Sequence, residues 1–189
     1  MGIVLASGSP RRRELLDLIG LKDFKVIPDE SAEDVVAGLT PEQTVSRIAL
    51  RKAENVSVLC DSGDIIIAAD TLVYLDGRPL GKPVSRENAG VMLRELSGRR
   101  HEVYTGVALR RGDVNVSDVV KTDVYFREIT GEEISAYVKS GEPMDKAGAY
   151  GAQGRGSIFI ERIDGEFFNV MGLPLCRLSK MLREFGVFV

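Results

Sequence analysis

The sequence predicts an α/β protein built on a mixed, strongly twisted β-sheet, and three observations support this fold class. Short apolar runs alternate with amphipathic helical segments in the first half of the chain, as in parallel strands joined by helices. Strand-like pairs around glycine-containing turns dominate later, as in antiparallel hairpins. The 189 residues are 44% hydrophobic and 28% charged, which suits one domain over residues 1–189 with a sizeable core.

The first half is predicted to contain three strands and two helices. The strands are the apolar runs at residues 3–6, 24–28 and 65–69. The first helix begins at Pro10, whose fixed φ suits a first turn, and ends before Gly20. The second helix is opened by a capping box over residues 40–43 (TPEQ). Because the run 65–69 is continuously apolar, we expect a strand that is covered on both faces and ends at Asp70.

The second half is predicted to be rich in hairpins. The paired strands are 71–75 with 79–80, 102–110 with 114–127, and 157–163 with 166–171. The helices are 85–96, 131–140 behind a second capping box, and a terminal helix starting at Leu173-Pro174. Residues 142–156 are glycine-rich and are predicted to be irregular. We expect the middle hairpins to form a second lobe, with a cleft between the two lobes.

Composition excludes several functional classes. The net charge of −3 leaves no overall basic field for nucleic acid or an anionic membrane, so we expect neither partner. Cys60 and Cys176 are far apart, which argues against a zinc site or a disulfide scaffold. His101 is the only histidine, so chemistry that needs a histidine pair is excluded. No signal peptide or long apolar run is recognised, and we therefore expect a cytoplasmic protein.

The segment 7–13 (SGSPRRR) lies between a predicted strand and a predicted helix, and it indicates an anion site. Backbone N–H groups and the positive end of the helix dipole attract anions there. Arg11, Arg12 and Arg13 oppose that dipole, but they suit the oxygens of a polyanion such as a triphosphate. The segment lacks the Walker A pattern. A solvated basic helix start with a serine cap explains the same residues about as well.

Two carboxylates follow predicted strands. Asp70 comes directly after the run 65–69, at the strand end where ligands of open α/β sheets bind. Glu30 lies just past the strand 24–28. Together they would form an oxygen site suited to Mg²⁺ or Mn²⁺. For Asp70 taken alone, a simple strand-end turn residue is the favoured interpretation.

Three further side chains are candidates for ligand contacts. Lys52 lies on the apolar stripe of its helix, so it either reaches solvent at an edge, the commoner outcome, or meets an anion in a cleft. Lys82, in the sequence GKP, is a weaker signal. Gln153 lies among glycines that allow close approach of a ligand, and its amide offers a donor and an acceptor to a base. A flexible loop is the alternative for that segment.

Several motifs, taken in order, resemble those of the Maf family of nucleoside triphosphate pyrophosphatases, once described as septum-formation inhibitors. The motifs cover nearly the whole chain and are ASGSPRR, AADT, LGKP, LSGRRHEVYTGVAL, EPMDKAGAYGAQG and NVMGLPL. The resemblance implies an elongated mixed sheet with two lobes and a central cleft, similar to the inosine triphosphate pyrophosphatase-like fold, and commonly a homodimer. It also implies hydrolysis of a nucleoside triphosphate to the monophosphate and pyrophosphate.

The resemblance also assigns roles to individual residues. Asp70 matches the proposed proton acceptor of the family. The positions that set base preference in the dTTP/UTP-preferring branch are matched by Arg11, Thr71 and Gln153. The phosphate- and metal-contacting set is matched by Ser7, Arg12, Glu30, Lys52 and Lys82, with Arg13 standing where relatives often have lysine.

These residues lead to one mechanistic hypothesis and three alternatives. In the hypothesis, the segment 7–13 and the two lysines hold a triphosphate, Glu30 and Asp70 hold a divalent cation, and Asp70 orients or deprotonates water. The alternatives are a preference for 7-methyl-GTP, a broad house-cleaning pyrophosphatase, and a non-enzymatic regulator of cell division.

Overall fold

The computed structural model describes residues 2–29, 31 and 38–189 of the chain. The strands are β1 (Ile3–Leu5), β2 (Phe24–Val26), β3 (Ile65–Leu75), β4 (Arg78–Leu80), β5 (Arg100–Arg111), β6 (Val114–Phe126) and β7 (Ile160–Asp164). The α-helices are α1 (Pro10–Leu18), α2 (Pro41–Ser57), α3 (Arg86–Leu96), α4 (Gly131–Lys139), α5 (Phe167–Met171) and α6 (Leu175–Glu184). Short 3₁₀ helices lie at Glu142–Asp145, Ala147–Ala149 and Arg155–Phe159.

The strands form one seven-stranded mixed sheet. Its order is β2-β1-β3-β5-β6-β7, and β4 pairs with β3 off this path. The strand β1 runs parallel to both β2 and β3, with Leu5 level with Val26 on one side and with Ile67 on the other. The strands β4 and β7 are antiparallel to their partners β3 and β6. The predicted mixed α/β class is therefore confirmed.

The chain divides into two compact units. Unit 1 consists of Met1–Asp70, Thr105–Val120 and Gly172–Val189, and unit 2 of Thr71–Tyr104 and Lys121–Met171. One hydrophobic cluster of unit 1 joins β1, α2 and β3 through small and branched residues such as Val4, Ala53 and Ile66. The core of unit 2 is more aromatic. Within it, Phe126 packs edge-on against Tyr150, with ring centroids 4.7 Å apart.

Helix α2 begins and packs as its sequence predicts. The hydroxyl of Thr40 accepts a hydrogen bond from the backbone N–H of Gln43, and the side chain of Gln43 accepts one from the N–H of Thr40. This reciprocal box satisfies backbone donors that the first turn would otherwise leave unpaired. On its inner face α2 approaches Gly106 of β5 so closely that a Cβ there would overlap the carbonyl of Val45. Glycine is therefore required for the helix to lie against the sheet.

Two predictions about the strands are wrong. The strand predicted to end before Asp70 continues through it, because β3 is one strand from Ile65 to Leu75. The predicted hairpin of 157–163 with 166–171 does not form, because β7 pairs with β6 and the second segment folds as α5. The amide nitrogen of Asn169 in α5 is buried and donates to Val103 O and Thr122 Oγ1, each at 3.0 Å, contacts that sequence spacing does not reveal.

Across the described residues, none of the helices has the length and apolar character needed to cross a membrane.

Candidate functional site

The candidate site begins where three parallel strands of unit 1 carry polar residues at one edge. Ser7 lies two residues past the end of β1, and Asp29 lies three past the end of β2. On the other side of β1, the parallel pairing with β3 extends to the hydrogen bond from Ala6 N to Ile67 O, and Asp70 lies three residues beyond. Because the three strands run in the same direction, residues just beyond the stretch where they pair share one region of the sheet, although β3 itself continues to Leu75.

The segment 7–13 is held in place by Arg12. Its Nη1 donates to the buried hydroxyl of Ser7 at 3.0 Å, and its Nε donates to the carbonyl of Gly172 at 2.8 Å. The helix α1 then starts at Pro10, and the Ser9 side chain forms no cap hydrogen bond. Arg11 is half-buried and Arg13 is exposed. The serine cap of the alternative interpretation is therefore not formed, and the positive end of α1 carries a basic cluster with no acidic residue in its first turn.

Lys52 does not reach solvent. Its side chain, on the inner face of α2, donates from Nζ to Asp70 Oδ1 at 2.8 Å, and the two residues are only 5% and 3% exposed. Burying two charges is costly even when they attract each other, so the pair adds little to stability for its own sake. The other carboxylate oxygen, Asp70 Oδ2, is buried and receives no hydrogen bond from the described residues. A buried charged oxygen of this kind needs a partner.

Asp29 is a second carboxylate of this edge, but its oxygens are occupied. Its Oδ1 accepts from the N–H of Ser31 and from the amide of Asn55, and its Oδ2 accepts from the Ser31 hydroxyl at 2.6 Å. Burial opposes ionisation, but these hydrogen bonds and the nearby charge of Lys52 outweigh it and hold the pKa of Asp29 below its ordinary value. Helix α2 thus contacts both carboxylates, with Lys52 on Asp70 and the exposed Asn55 on Asp29.

The fit of a divalent cation depends on Asp70. Its orphaned Oδ2 is an anionic oxygen ligand of the type that Mg²⁺ and Mn²⁺ prefer. Glu30, the other predicted ligand, lies outside the described residues. Among the residues described, no group of three or more His, Cys, Asp or Glu side chains is arranged for a metal. A cation at Asp70 would therefore complete its shell with substrate oxygens, water or residues beyond this set.

The remaining predicted site residues lie in unit 2. Thr71 follows Asp70 in β3 and is half-buried, whereas Lys82 and Gln153 are exposed. The loop that carries Lys82 is joined to the glycine-rich segment, since Gly148 N donates to Gly81 O at 3.1 Å. Gly148 has a φ of +69° and sits against Val73, so both its conformation and its surroundings favour glycine.

Glu142 is a residue of unit 2 to which the sequence analysis gave no role. Its Oε1 accepts from the Tyr137 hydroxyl at 2.9 Å and from Gly156 N at 3.3 Å, and its Oε2 accepts from Arg155 N at 3.0 Å. Burial opposes ionisation, but these donors and Lys146 hold the pKa of Glu142 below its ordinary value. The signal in the sequence is slight: an acidic residue before a proline at the start of a glycine-rich segment.

Chemically, unit 1 offers the parts that phosphoryl transfer needs. Ser7 and the arginines at the start of α1 can hold phosphate oxygens. Lys52 donates a hydrogen bond to Asp70 Oδ1, and Oδ2, which receives none from the described residues, is left for a water or a cation. A carboxylate oriented in this way is a candidate general base.

Comparison with known proteins gives a consistent result. A family model described as Maf-like protein matches residues 2–185. A dTTP/UTP pyrophosphatase of Bacillus anthracis (strain CDC 684 / NRRL 3495) is 48% identical over 187 residues, which are 99% of this chain and 97% of that protein. A dTTP/UTP pyrophosphatase of Bacillus cereus (strain AH820) matches with the same identity and coverage.

Among solved structures, a HAM1 protein from Coxiella burnetii has a TM-score of 0.53 at 18% identity, over 97% of this chain and 99% of that chain. This likeness shows the fold alone, and it agrees with the mixed sheet flanked by helices.

Proposed function

The chain belongs to the Maf family, and from that premise we propose that it hydrolyses nucleoside triphosphates, dTTP and UTP above all, to the monophosphate and pyrophosphate. The observation that carries the proposal is the buried Lys52–Asp70 pair, whose second carboxylate oxygen receives no hydrogen bond from the described residues. This oxygen lies on the sheet edge that also carries Ser7, next to the basic start of α1. The names of two relatives at 48% identity support the same reaction.

In this proposal the start of α1 binds the triphosphate. The Ser7 hydroxyl and the guanidinium groups of Arg12 and Arg13 contact phosphate oxygens, and Lys82 neutralises phosphate charge. Arg12 is already oriented by Ser7 and Gly172, so binding orders fewer side-chain rotamers than a mobile arginine would require. Most of the rate enhancement then comes from positioning and from stabilising developing negative charge.

Asp70 acts on the attacking water. Its Oδ2 accepts a proton as the water oxygen bonds to phosphorus, and the phosphoanhydride between the α- and β-phosphates breaks, so that pyrophosphate leaves. Lys52 holds the carboxylate in place through its hydrogen bond to Oδ1. When bound at Asp70 and Glu30, Mg²⁺ or Mn²⁺ would supply Lewis-acid polarisation of the phosphate oxygens.

Base preference is proposed to come from Arg11, Thr71 and Gln153. The exposed amide of Gln153 offers one donor and one acceptor, which suits the edge of a uracil or thymine ring. The comparison with two dTTP/UTP pyrophosphatases supports this pyrimidine preference over 7-methyl-GTP.

The decisive experiment is a product analysis. The protein is incubated with dTTP, UTP and 7-methyl-GTP in turn, with and without Mg²⁺ or Mn²⁺, and monophosphate and pyrophosphate are quantified. We expect pyrophosphate from dTTP and UTP only when a cation is present. Release of inorganic phosphate instead, a preference for 7-methyl-GTP, or no hydrolysis of any triphosphate would each contradict the proposal.

A homodimer and a cytoplasmic location remain predictions from the family resemblance and from the sequence. Light scattering at several protein concentrations tests the first, and fractionation of cells tests the second.

A further inference from the structure

We propose that Glu142 and Tyr137 are positioning residues that hold residues 151–156 in the conformation from which Gln153 reads the base. The inference rests on the proposed function, since it assumes that the ligand carries a nucleobase. It concerns a contact network that lies wholly within unit 2.

The Glu142 carboxylate gathers donors from residues that are distant in the sequence. It accepts hydrogen bonds from the Tyr137 hydroxyl and from the backbone of Arg155 and Gly156. The Tyr137 hydroxyl in turn accepts from Gly151 N at 3.1 Å. One carboxylate and one phenol therefore fix the backbone on both sides of Gln153. An ionised acceptor makes such hydrogen bonds stronger than a neutral one does.

Three glycines allow this close arrangement. A Cβ at Gly154 would overlap the carboxylate of Glu142, and a Cβ at Gly156 would lie 2.7 Å from the Tyr137 hydroxyl. A Cβ at Gly151 would lie 3.1 Å from Glu142 Oε1. The glycines of this segment thus make room for the Glu142 carboxylate and the Tyr137 hydroxyl. From the sequence, the same glycines were expected to make room for a ligand.

The segment that is held this way presents two long side chains, Gln153 and Arg155, to solvent. Ala152 is 6% exposed and Gly151 is buried, whereas Gln153 is exposed. To recognise a base, the Gln153 amide must keep its donor and its acceptor aligned with the hydrogen-bonding groups of the ring. Fixing the backbone on both sides lowers the ordering cost that binding would otherwise incur. Loosening it should weaken base recognition while leaving Asp70 and Lys52 in unit 1 unchanged.

The test uses Glu142→Gln and Tyr137→Phe in the full chain, with Glu161→Gln as the matched control on the exposed strand β7. The glutamine side chain has the size of glutamate but loses the charge and turns one acceptor into a donor. We expect Glu142→Gln to raise KM for dTTP about tenfold, as for the loss of charge-assisted hydrogen bonds, with kcat changed less than about threefold. Selectivity for dTTP over GTP should fall by a similar factor.

Tyr137→Phe removes one bridge and leaves the carboxylate, so its effect on KM should be smaller, about threefold. Amide hydrogen exchange at residues 151, 155 and 156 should accelerate in both variants and stay unchanged in Glu161→Gln. This readout does not depend on activity.

The outcomes separate the inference from the function on which it rests. If kcat falls on every triphosphate equally with KM unchanged, or if the amides exchange faster while selectivity stays constant, the inference is overturned and the proposed function stands. If the wild-type protein hydrolyses no triphosphate, the proposed function fails, whatever the exchange data show.

Discussion

Two carboxylates of this molecule, Asp70 in unit 1 and Glu142 in unit 2, are surrounded in opposite ways. Glu142 is half-buried and accepts three hydrogen bonds that fill both of its oxygens. Asp70 is 3% exposed, has Lys52 on one oxygen, and has a second oxygen that receives no hydrogen bond from the described residues. Because an unmatched buried charge is destabilising, an oxygen in this position is suited to accept a hydrogen bond or to bind a cation. The saturated carboxylate organises the backbone, and the unsaturated one is suited to chemistry.

The largest expected effect is that of Asp70→Asn, which tests whether Asp70 is the residue that acts on the attacking water. An amide cannot take a proton from water, so kcat for dTTP should fall by a factor of about 10² to 10⁴. Steady-state kinetics measures it, and circular dichroism checks that the variant is folded. Near-normal turnover in a folded Asp70→Asn protein would end the assignment of Asp70 as the base.

A buried titratable group of unit 2, His101, should affect stability instead of catalysis. Its Nε2 lies 2.8 Å from the Tyr150 hydroxyl, and burial lowers the pKa of His101 from 6.5 to about 4, against smaller opposing contributions from the Arg99 backbone and Asp123. Between those values the unfolded chain binds the proton and the folded chain does not. Stability is therefore complete above pH 6.5, and about 3 kcal/mol of it is lost as the pH falls towards 4.

The measurement for His101 is urea unfolding of the wild type and of His101→Phe at several pH values from 7.5 to 4. Phenylalanine keeps the ring packing against Phe126 but does not titrate. As the pH falls from 6.5 towards 4, the free energy of unfolding of the wild type should decrease relative to that of His101→Phe. A difference between the two free energies that stays constant over this range would show that His101 is not buried in its neutral form.

Added divalent cation should distinguish the two carboxylates directly. A cation that binds only the folded protein stabilises it by about 2.7 kcal/mol at a concentration one hundred times its Kd. We expect Mg²⁺ or Mn²⁺ to raise the melting temperature of the wild type and of Glu142→Gln, and to lose this effect on Asp70→Asn. A cation effect that survives in Asp70→Asn would place the cation elsewhere.

The smallest expected effect concerns the support of Lys52. Because a Cβ at Gly106 would overlap the backbone of α2, Gly106→Ala must displace the helix that carries Lys52. Overpacking of this kind costs about 1–3 kcal/mol. Gly63→Ala is the matched control, since a Cβ there meets no atom within 4 Å. Chemical denaturation compares the two, and equal stabilities would show that α2 tolerates the shift.

Local signals in the sequence were sufficient to predict most of the elements. The capping boxes before α2 and α4 and the proline at the start of α1 were recognisable because each acts within four residues. The failures depend on distant partners. The chain at 157–171 folds around contacts to β6 and Val103, none of which leaves a periodic pattern in the segment itself. Asp70 looked like the end of a strand because the apolar run 65–69 stops there. The lysine that pairs with it lies 18 residues earlier, so nothing in the sequence indicated the pair.

The candidate site was predictable in the same partial way. The residue types at the start of α1 suit an anion site and a solvated basic helix start about equally well, and the resemblance to a family assigned roles to Asp70, Lys52 and Gln153. Two features could not be predicted because both depend on three-dimensional neighbours. These are the oxygen of Asp70 that no described residue contacts by a hydrogen bond, and the attachment of Arg12 to Gly172. Glu142 was missed because two of its three donors are backbone groups, which the sequence does not distinguish.

Unit 1 consists of three segments that are separated in the sequence, and this has a consequence for folding during synthesis. Its first segment ends at Asp70, but the carbonyl that holds Arg12 belongs to Gly172, in its third segment. On the ribosome, every residue of unit 2 is therefore made before this hydrogen bond can form. Domains commonly fold as they emerge, from the N-terminal side. In a nascent chain of this protein, residues 151–156 should therefore be in place before Gly172 can fix Arg12 at the start of α1.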